Sequence, residues 1–466
     1  MAVLRSIWRW FEDRTGIGGT LAPLGSHLAP PGSKWWYVFG SATLFAFLIQ
    51  VVTGIALATV YVPSAGSAYE SLQYISSQAP FGALLRGMHY FGASAMVLFV
   101  GVHMVRVFLT GSYKFPREVN WLTGVVLLGL TIVMGFTGQL LRWDQNAVWS
   151  AIVGAEQAGR MPFVGRWLVR IFFSGSTIGS ATLSHFFVLH VFVVPALIGA
   201  VVTVHLYLVI RNGISEPAVA GQQVDPKTYR ARYEAMLKRI GVPFWPHAAW
   251  RDAMFSCAMV AGVLALAWMF GAPHLGRPPD PSIIEAKPRP DWYLMWYFAV
   301  LALLPHKAES YVMILAPLVG GLVLFLVPFL SNRGERSWRR RPWAPAIVAF
   351  IVMCVGVLWH QGVEAPWSPD FSARPLTEQI IGVSSGPVYE GGLVFNTKGC
   401  LYCHTISGYG GKRGPNLTYV GDRLTRDQMI IRITNGGYNM PAYANNIAPA
   451  QLSSVVAFLQ SRKAAY

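Results

Sequence analysis

Two apolar stretches of this chain each carry a pair of histidines. "LLRGMHYFGASAMVLFVGVHMVRVF" holds His89 and His103, 14 residues apart. "HFFVLHVFVVPALIGAVVTVHLYLVIR" holds His190 and His205, 15 apart. At 100° per residue these separations come to about 1400° and 1500°, within about 60° of whole turns. Each pair therefore lies on one face of its helix, its members about 21–22 Å apart along the axis. Two helices so equipped can ligate two stacked metal centres. Imidazole on both axial positions of an iron porphyrin is established haem chemistry. Unpaired imidazoles in lipid are costly, so two matched pairs favour ligation over polar packing. His185 shares the second stretch without a partner at matching spacing and stays unassigned.

The neighbours sharpen this expectation. Arg86 precedes His89 by three residues and Arg106 follows His103 by three, each one turn outward on roughly the same face. They can neutralise haem propionates, or they are snorkelling cations at helix ends. Gly40 and Gly54 are 14 apart in one apolar run, and Gly124 and Gly138 are 14 apart in another. Glycine there lets a flat porphyrin approach the backbone, although glycine also serves helix packing in membranes.

A third constellation lies near the end. "GCLYCHTISGYGG" (399–411) contains Cys400, Cys403 and His404, the C-x-x-C-H pattern of c-type haem attachment. A zinc site would need a fourth ligand at finger-like spacing, and none is present. Cys257 and Cys354 fall inside separate apolar runs and read as buried thiols.

The elements that must position these residues follow from composition. Of the 466 residues 53 % are hydrophobic and 12 % charged, against about 25 % charged in soluble domains. The chain reads as an integral membrane protein. Seven runs reach the roughly 20 residues a spanning helix needs: 35–61, 83–109, 121–141, 183–210, 253–271, 311–330 and 343–360. "WYLMWYFAVLALLP" (292–305) is too short to span and predicts an interfacial helix. Residues 361–387 are polar and proline-containing, a linker to a small soluble domain over 388–466. The net charge of +16 does not indicate nucleic acid, because the basic residues cluster between apolar runs. The N-terminal segment and the connections after spans two, four and six carry 18 Lys and Arg, the opposite connections 8. The first set should face the cytoplasm, and seven spans then place the C-terminal domain outside. "MAVLRSIWRWFEDRTGIGG" lacks the continuous apolar stretch of a cleavable signal. Its Trp8, Trp10 and Phe11, interleaved with Arg5, Arg9 and Arg14, predict an interfacial amphipathic helix.

On these residues the chain resembles cytochrome b of the quinol-oxidising bc-type complexes. "LLRGMHYFGASAMVLFVGVHMVRVFLTGSYKFPREVNWLTGVV" is similar to the chloroplast-type form, as is the 15-residue histidine separation. "KPRPDWYLMWY" (287–297) resembles the family's P-E-W-Y motif with Asp291 in place of Glu. The resemblance covers residues 1–360 and joins two parts that chloroplast-type complexes keep separate. It implies quinol oxidation at the outer face with two electron routes. One leads to a Rieske iron–sulfur protein on a separate chain and then to a c-type haem. The other crosses the membrane through two non-covalent b haems to quinone near the cytoplasmic face. With the topology above, His89 and His190 hold the outer haem, His103 and His205 the inner one. Asp291 would accept a quinol proton, and Trp292 and Tyr293 would shape the pocket. "GQLLRWDQNAVWSA" (138–151) resembles the loop and surface helix lining that pocket, with Arg142 where the family usually has proline. Val38 stands where chloroplast-type proteins anchor an extra haem by cysteine, so no covalent third haem is expected. His27 and Arg211 are candidate contacts of the inner quinone.

The last domain resembles small class I cytochromes c. Cys400 and Cys403 would form thioethers to one covalent haem, His404 would be its first axial ligand, and Met440 in "NGGYNMPAYA" the second. A helix over 449–462 would close that fold. The expected whole is an all-α polytopic bundle with a small helical cytochrome c domain. It divides into an interfacial segment (1–34), a dihaem core (35–215), a three-helix part with the P-D-W-Y motif (216–360), the linker (361–387) and the haem c domain (388–466). The resemblance implies a proton-translocating respiratory-chain oxidoreductase, homodimeric, in the inner membrane of a bacterium, handing electrons to a soluble or membrane-bound acceptor. The rival is the dihaem membrane anchor of a dehydrogenase or hydrogenase, which should lack the P-D-W-Y segment and the trailing spans.

Overall fold

The computed structural model describes residues 2–16, 26–32, 34–174, 178–280, 289–304, 306–364, 375–411, 414–436, 440–444 and 446–464. Lys287 and Pro288 of the 287–297 motif, and 365–374 of the linker, lie outside the described residues. Among the described residues seven helices are long and apolar enough to cross a membrane: Phe39–Ala58, Gly82–Leu109, Glu118–Leu140, Ser180–Asn212, Phe244–Phe270, Tyr311–Leu330 and Trp343–Glu364. They fall where hydropathy places them, and the chain is the expected all-α polytopic bundle with a smaller helical C-terminal region. The N-terminal helix, Ala2–Thr15, sets exposed Ile7 and Trp10 among its arginines. Met295–Leu303 forms the short helix expected within 292–305 and packs on the seventh span. In that span Phe350, Ile351, Val352 and Met353 are exposed, the apolar outer face that lipid requires.

The first span packs on the second and the third on the fourth. Ala46, Ile49, Met96, Val194, Ile198, Met259 and Val263 form a buried plug in the middle of the bundle. Met96 is midway between His89 and His103, so the plug separates an upper from a lower layer. At one end, helices Gln145–Gly159 and Gly165–Phe173 pack in a cluster with Leu140, Trp143, Ile152, Val169, Phe173 and Leu183.

The fourth span is not a regular α-helix. The N–H of Val194 bonds the carbonyl of Leu189, five residues back, within a π turn over Leu189–Val193. Pro195, next in the chain, has no N–H to donate. The turn takes up one extra residue. The 15-residue separation of His190 and His205 thereby becomes the angular equivalent of the 14 between His89 and His103.

At the opposite end, buried polar groups tie residues 108–117, 216–229 and 331–341 together. Arg336 Nη1 is 2.6 Å from Glu216 Oε1. Arg341 Nη2 donates to the carbonyls of Phe108 and Leu109 at 3.0 and 2.7 Å, capping the second span. Burial alone would raise the Glu216 carboxyl. Arg336 and the Tyr229 hydroxyl outweigh it and hold the group below the usual carboxylate range. Lys114 donates to Ser331 Oγ and the Arg333 carbonyl. Burial first, and then Arg341 and Arg336, pull its amine down to about 8.

The C-terminal region has its own core, in which Phe395, Leu401, Ile406, Met429, Val455 and Phe458 are buried. Its first helix, Gly386–Thr397, crosses its last, Pro449–Gln460, at Gly391. A side chain there would overlap the Ser454 carbonyl. Thr425 and Gln428 cap Arg426–Asn435 reciprocally. The region meets the bundle at a Ile178–Pro441 bridge and through Asn446 Nδ2, which donates to the Pro279 carbonyl at 3.3 Å.

Candidate functional site

The four histidines face one another in two layers, and each meets one of the four glycines. A Cβ on Gly54 would stand 3.3 Å from His89 Cε1, and one on Gly138 only 2.6 Å from His190 Cε1. In the other layer a Cβ on Gly40 would stand 3.0 Å from His103 Cε1 and one on Gly124 3.8 Å from His205 Cε1. Gly138, Gly40 and Gly54 therefore clear the imidazoles themselves, a closer reason for them than helix packing, whereas a methyl on Gly124 would make ordinary contact. The rings of His89 and His190 are 6.2 Å apart, centre to centre. That admits one metal atom between them, with metal–nitrogen bonds of about 2 Å on each side.

Three of the histidines are oriented by a threonine. Thr53 Oγ1 lies 2.9 Å from His89 Nδ1, Thr137 Oγ1 3.0 Å from His190 Nδ1 and Thr123 Oγ1 2.8 Å from His205 Nδ1. Each hydroxyl donates its own hydrogen to a backbone carbonyl in its helix: Ile49, Met134 and Asn120 respectively. It therefore accepts Nδ1–H and leaves Nε2 as the free ligand nitrogen. Sequence reasoning missed these residues. The available signal was Thr-Gly, since each threonine directly precedes one of the glycines.

The two arginines differ. Arg86 donates to Ser76 Oγ at 3.0 Å and to the Pro273 carbonyl at 2.8 Å. Arg106 stacks on Tyr37 at 3.6 Å, while its buried Nε and Nη2 have no hydrogen-bond partner among the described residues. It lines a cavity of about 420 Å³ with Gly40, His103, Gly124 and His205. An orphaned guanidinium, a glycine-cleared slot and two imidazoles together fit a planar anionic macrocycle with an octahedral metal. Val38 is buried at the same cavity. The cavity extends past Ser41, which donates to Asp252 at 2.7 Å, to Lys34 and Arg251. Asp252 was not foreseen. His27 stacks on Phe244, which lines the cavity, whereas Arg211 is exposed and donates to Tyr207.

At the opposite end the structure brings Asp291, Trp292 and Tyr293 against the end of the third span. Tyr293 OH donates to Asp291 Oδ2 at 3.2 Å, and Asp291 N donates to Gln139 Oε1 at 3.2 Å. Burial first, then the Asp291 charge, hold the Tyr293 phenol well above its ordinary range, so it remains a donor. Trp292 is partly exposed, with its indole N–H on Ser94 Oγ. Arg142 stands 3.7 Å from Asp291.

In the C-terminal region Cys400 and Cys403 occupy one helical turn and are not joined in a disulfide. His404 Nδ1 donates to the Pro415 carbonyl at 2.9 Å, which again leaves Nε2 for a ligand. Burial keeps this imidazole below its ordinary range, against the pull of that carbonyl, in the neutral form that binds metal. Burial pushes the Cys400 thiol up to about 12. Met440 packs against the same core as Cys400.

Comparison with known proteins agrees with this arrangement. Residues 24–213 match the family Cytochrome b/b6/petB, and 278–378 match Cytochrome b(C-terminal)/b6/petD. Residues 388–459 match Cytochrome C oxidase, cbb3-type, subunit III. The chain is 39 % identical over 214 residues to cytochrome b6 of Synechococcus elongatus, covering 46 % of this chain and 100 % of that protein. It is 32 % identical over 367 residues to cytochrome b/c1 of Bradyrhizobium diazoefficiens, 77 % of this chain but only 50 % of that protein's length. A solved hyperthermophilic respiratory Complex III superposes with a TM-score of 0.62 at 25 % identity, over 84 % of this chain and 95 % of that one. With its haem-binding fold and transmembrane electron-transport architecture, the chain belongs to the cytochrome b/b6 family.

Proposed function

We propose that this chain is the cytochrome b subunit of a proton-translocating quinol–cytochrome c oxidoreductase, carrying its own haem c domain. The observation that carries the reading is the twofold repeat of facing imidazoles, each opposite a glycine, at two levels separated by an apolar plug. Haem bound there supplies reversible one-electron chemistry. His89 and His190 hold the outer group, His103 and His205 the inner one. Thr53, Thr137 and Thr123 fix the imidazoles, and Arg106 neutralises the inner group's carboxylates. Cys400 and Cys403 would attach a third haem through thioethers, and His404 and Met440 would ligate its iron.

At the outer face Asp291 accepts a proton as quinol is oxidised, Tyr293 orients that carboxylate, and Trp292 walls the pocket. Quinol releases two electrons and two protons. By the family resemblance one electron leaves to a separate Rieske iron–sulfur protein and onward to the c domain. The other crosses to quinone near Lys34, Ser41, Arg251 and Asp252. The N-terminus is cytoplasmic and the c domain periplasmic in a bacterial inner membrane, within a homodimer. The seating of the P-D-W-Y segment against the dihaem core supports this reading over a dehydrogenase anchor.

The test uses membranes containing the full assembly. Its reduced spectrum should show two b-type components and one c-type. Asp291→Asn should slow quinol-driven haem reduction at least about a hundredfold, the lower end of the range for a lost general base. Normal turnover in that variant removes Asp291 from its role.

A further inference from the structure

Arg142 has no counterpart in the family's usual proline, and the structure shows what it touches. It lies two residues past the end of the third span, next to Trp143, whose φ of 47° is left-handed. Its Nη1 is 3.7 Å from Asp291 Oδ1, and its Nε is 3.8 Å from Asp144 Oδ2. Both distances are ion-pair distances, too long for hydrogen bonds.

The two carboxylates are not equivalent. Asp144 is 1 % exposed, and both of its oxygens are fastened. Oδ1 accepts from Ala147 N at 2.9 Å, and Oδ2 accepts from Gly276 N at 3.0 Å. The Asp291 side chain is 20 % exposed. One of its oxygens faces Arg142, and the other takes the Tyr293 hydroxyl. The guanidinium is thus shared between a fixed anion and a movable one. When Asp291 turns toward a substrate, Asp144 still compensates the Arg142 charge, so release does not leave this partly buried cation unpaired. A plain structural ion pair would lack that property.

We propose that Arg142 is a positioning residue of the quinol site. It acts through Asp291, holding that carboxylate between guanidinium and phenol and releasing it to the quinol hydroxyl. This rests on the reading of Asp291 as proton acceptor. In the step it serves, a quinol O–H bond breaks and its proton joins a carboxylate oxygen of Asp291. The electron departs to the iron–sulfur and haem acceptors named above. The side chain of Asp is one methylene shorter than that of Glu, and the Arg142 pair is the means by which the shorter residue is aimed.

The experiment is a double-mutant cycle in membranes holding the full complex. A short-chain benzoquinol or naphthoquinol serves as donor, and stopped-flow absorbance follows the b and c bands. Arg142→Gln should lower kcat about tenfold, with KM within about twofold, when Asp291 is present. In the Asp291→Asn background the same change should cost less than about twofold, and Arg142→Lys should recover part of the loss. Equal losses in both backgrounds, or no loss at all, overturn the proposal. If Asp291→Asn alone turns over normally, the parent reading fails instead. Should Arg142→Gln lose its b-type band, Arg142→Lys takes its place. A loss that Asp291→Asn abolishes then supports the coupling, and an undiminished loss refutes it.

Discussion

Replacing Thr137 by valine removes one acceptor and almost nothing else. Valine keeps the branched shape, so the helix and the neighbouring Gly138 slot stay as they are. The hydroxyl that goes is the acceptor for His190 Nδ1–H at 3.0 Å. Its loss leaves that buried N–H with only the Met134 carbonyl, at a cost of up to about 1–3 kcal/mol. Removing such an outer partner typically lowers metal affinity about 10–100-fold. The bond also makes the imidazole a stronger donor and so favours oxidised iron. Without it the outer b haem should become easier to reduce. If about 1 kcal/mol of the loss is specific to the oxidised state, the midpoint rises by roughly 40 mV, at 59 mV per tenfold for one electron. Redox potentiometry of the b-type band in membranes measures this directly. Thr137→Val should move one b component upward and leave the other and the c component in place. Thr123→Val should move the other b component, because its hydroxyl serves His205. If both variants move the same component, or neither moves any with haem fully retained, the assignment of threonines to two separate layers is wrong.

The remaining predictions concern packing and ligation. Gly138→Ala puts a Cβ 2.6 Å from His190 Cε1; overpacking of this kind costs about 1–3 kcal/mol. One of two b-type components should therefore be depleted in the pyridine haemochrome assay. If Cys400 and Cys403 hold a c-type haem covalently, as proposed, Met440→Ala should keep that haem while electron paramagnetic resonance shows loss of its low-spin signal. Gly391→Val drives a side chain into the Ser454 carbonyl. It should lower the melting temperature of the C-terminal region by several degrees in calorimetry and leave both b-type components intact.

Much of the architecture was legible along the chain. Length and hydropathy define a spanning helix locally, because a helix satisfies its own backbone in lipid whatever its neighbours are. The seven spans and the short helix after Trp292 could therefore be read before any packing was known. The two histidine pairs were legible for the same reason, since periodicity along one helix tells which residues share a face. So was C-x-x-C-H, whose residues lie within one turn. What faces those residues was not legible. The acceptors of His89 and His205 are 36 and 82 positions away, and the cation beside Asp291 comes from the turn after the third span. Such partners are chosen by how helices cross, which no local spacing encodes. The π turn at Leu189–Val193 shows the boundary most clearly. The 15-residue separation stands in the sequence, but an ideal helix would leave its two histidines misaligned with those of the second span. Only the wider turn ahead of Pro195 brings both layers into register, because the missing N–H lets the backbone take up one more residue there.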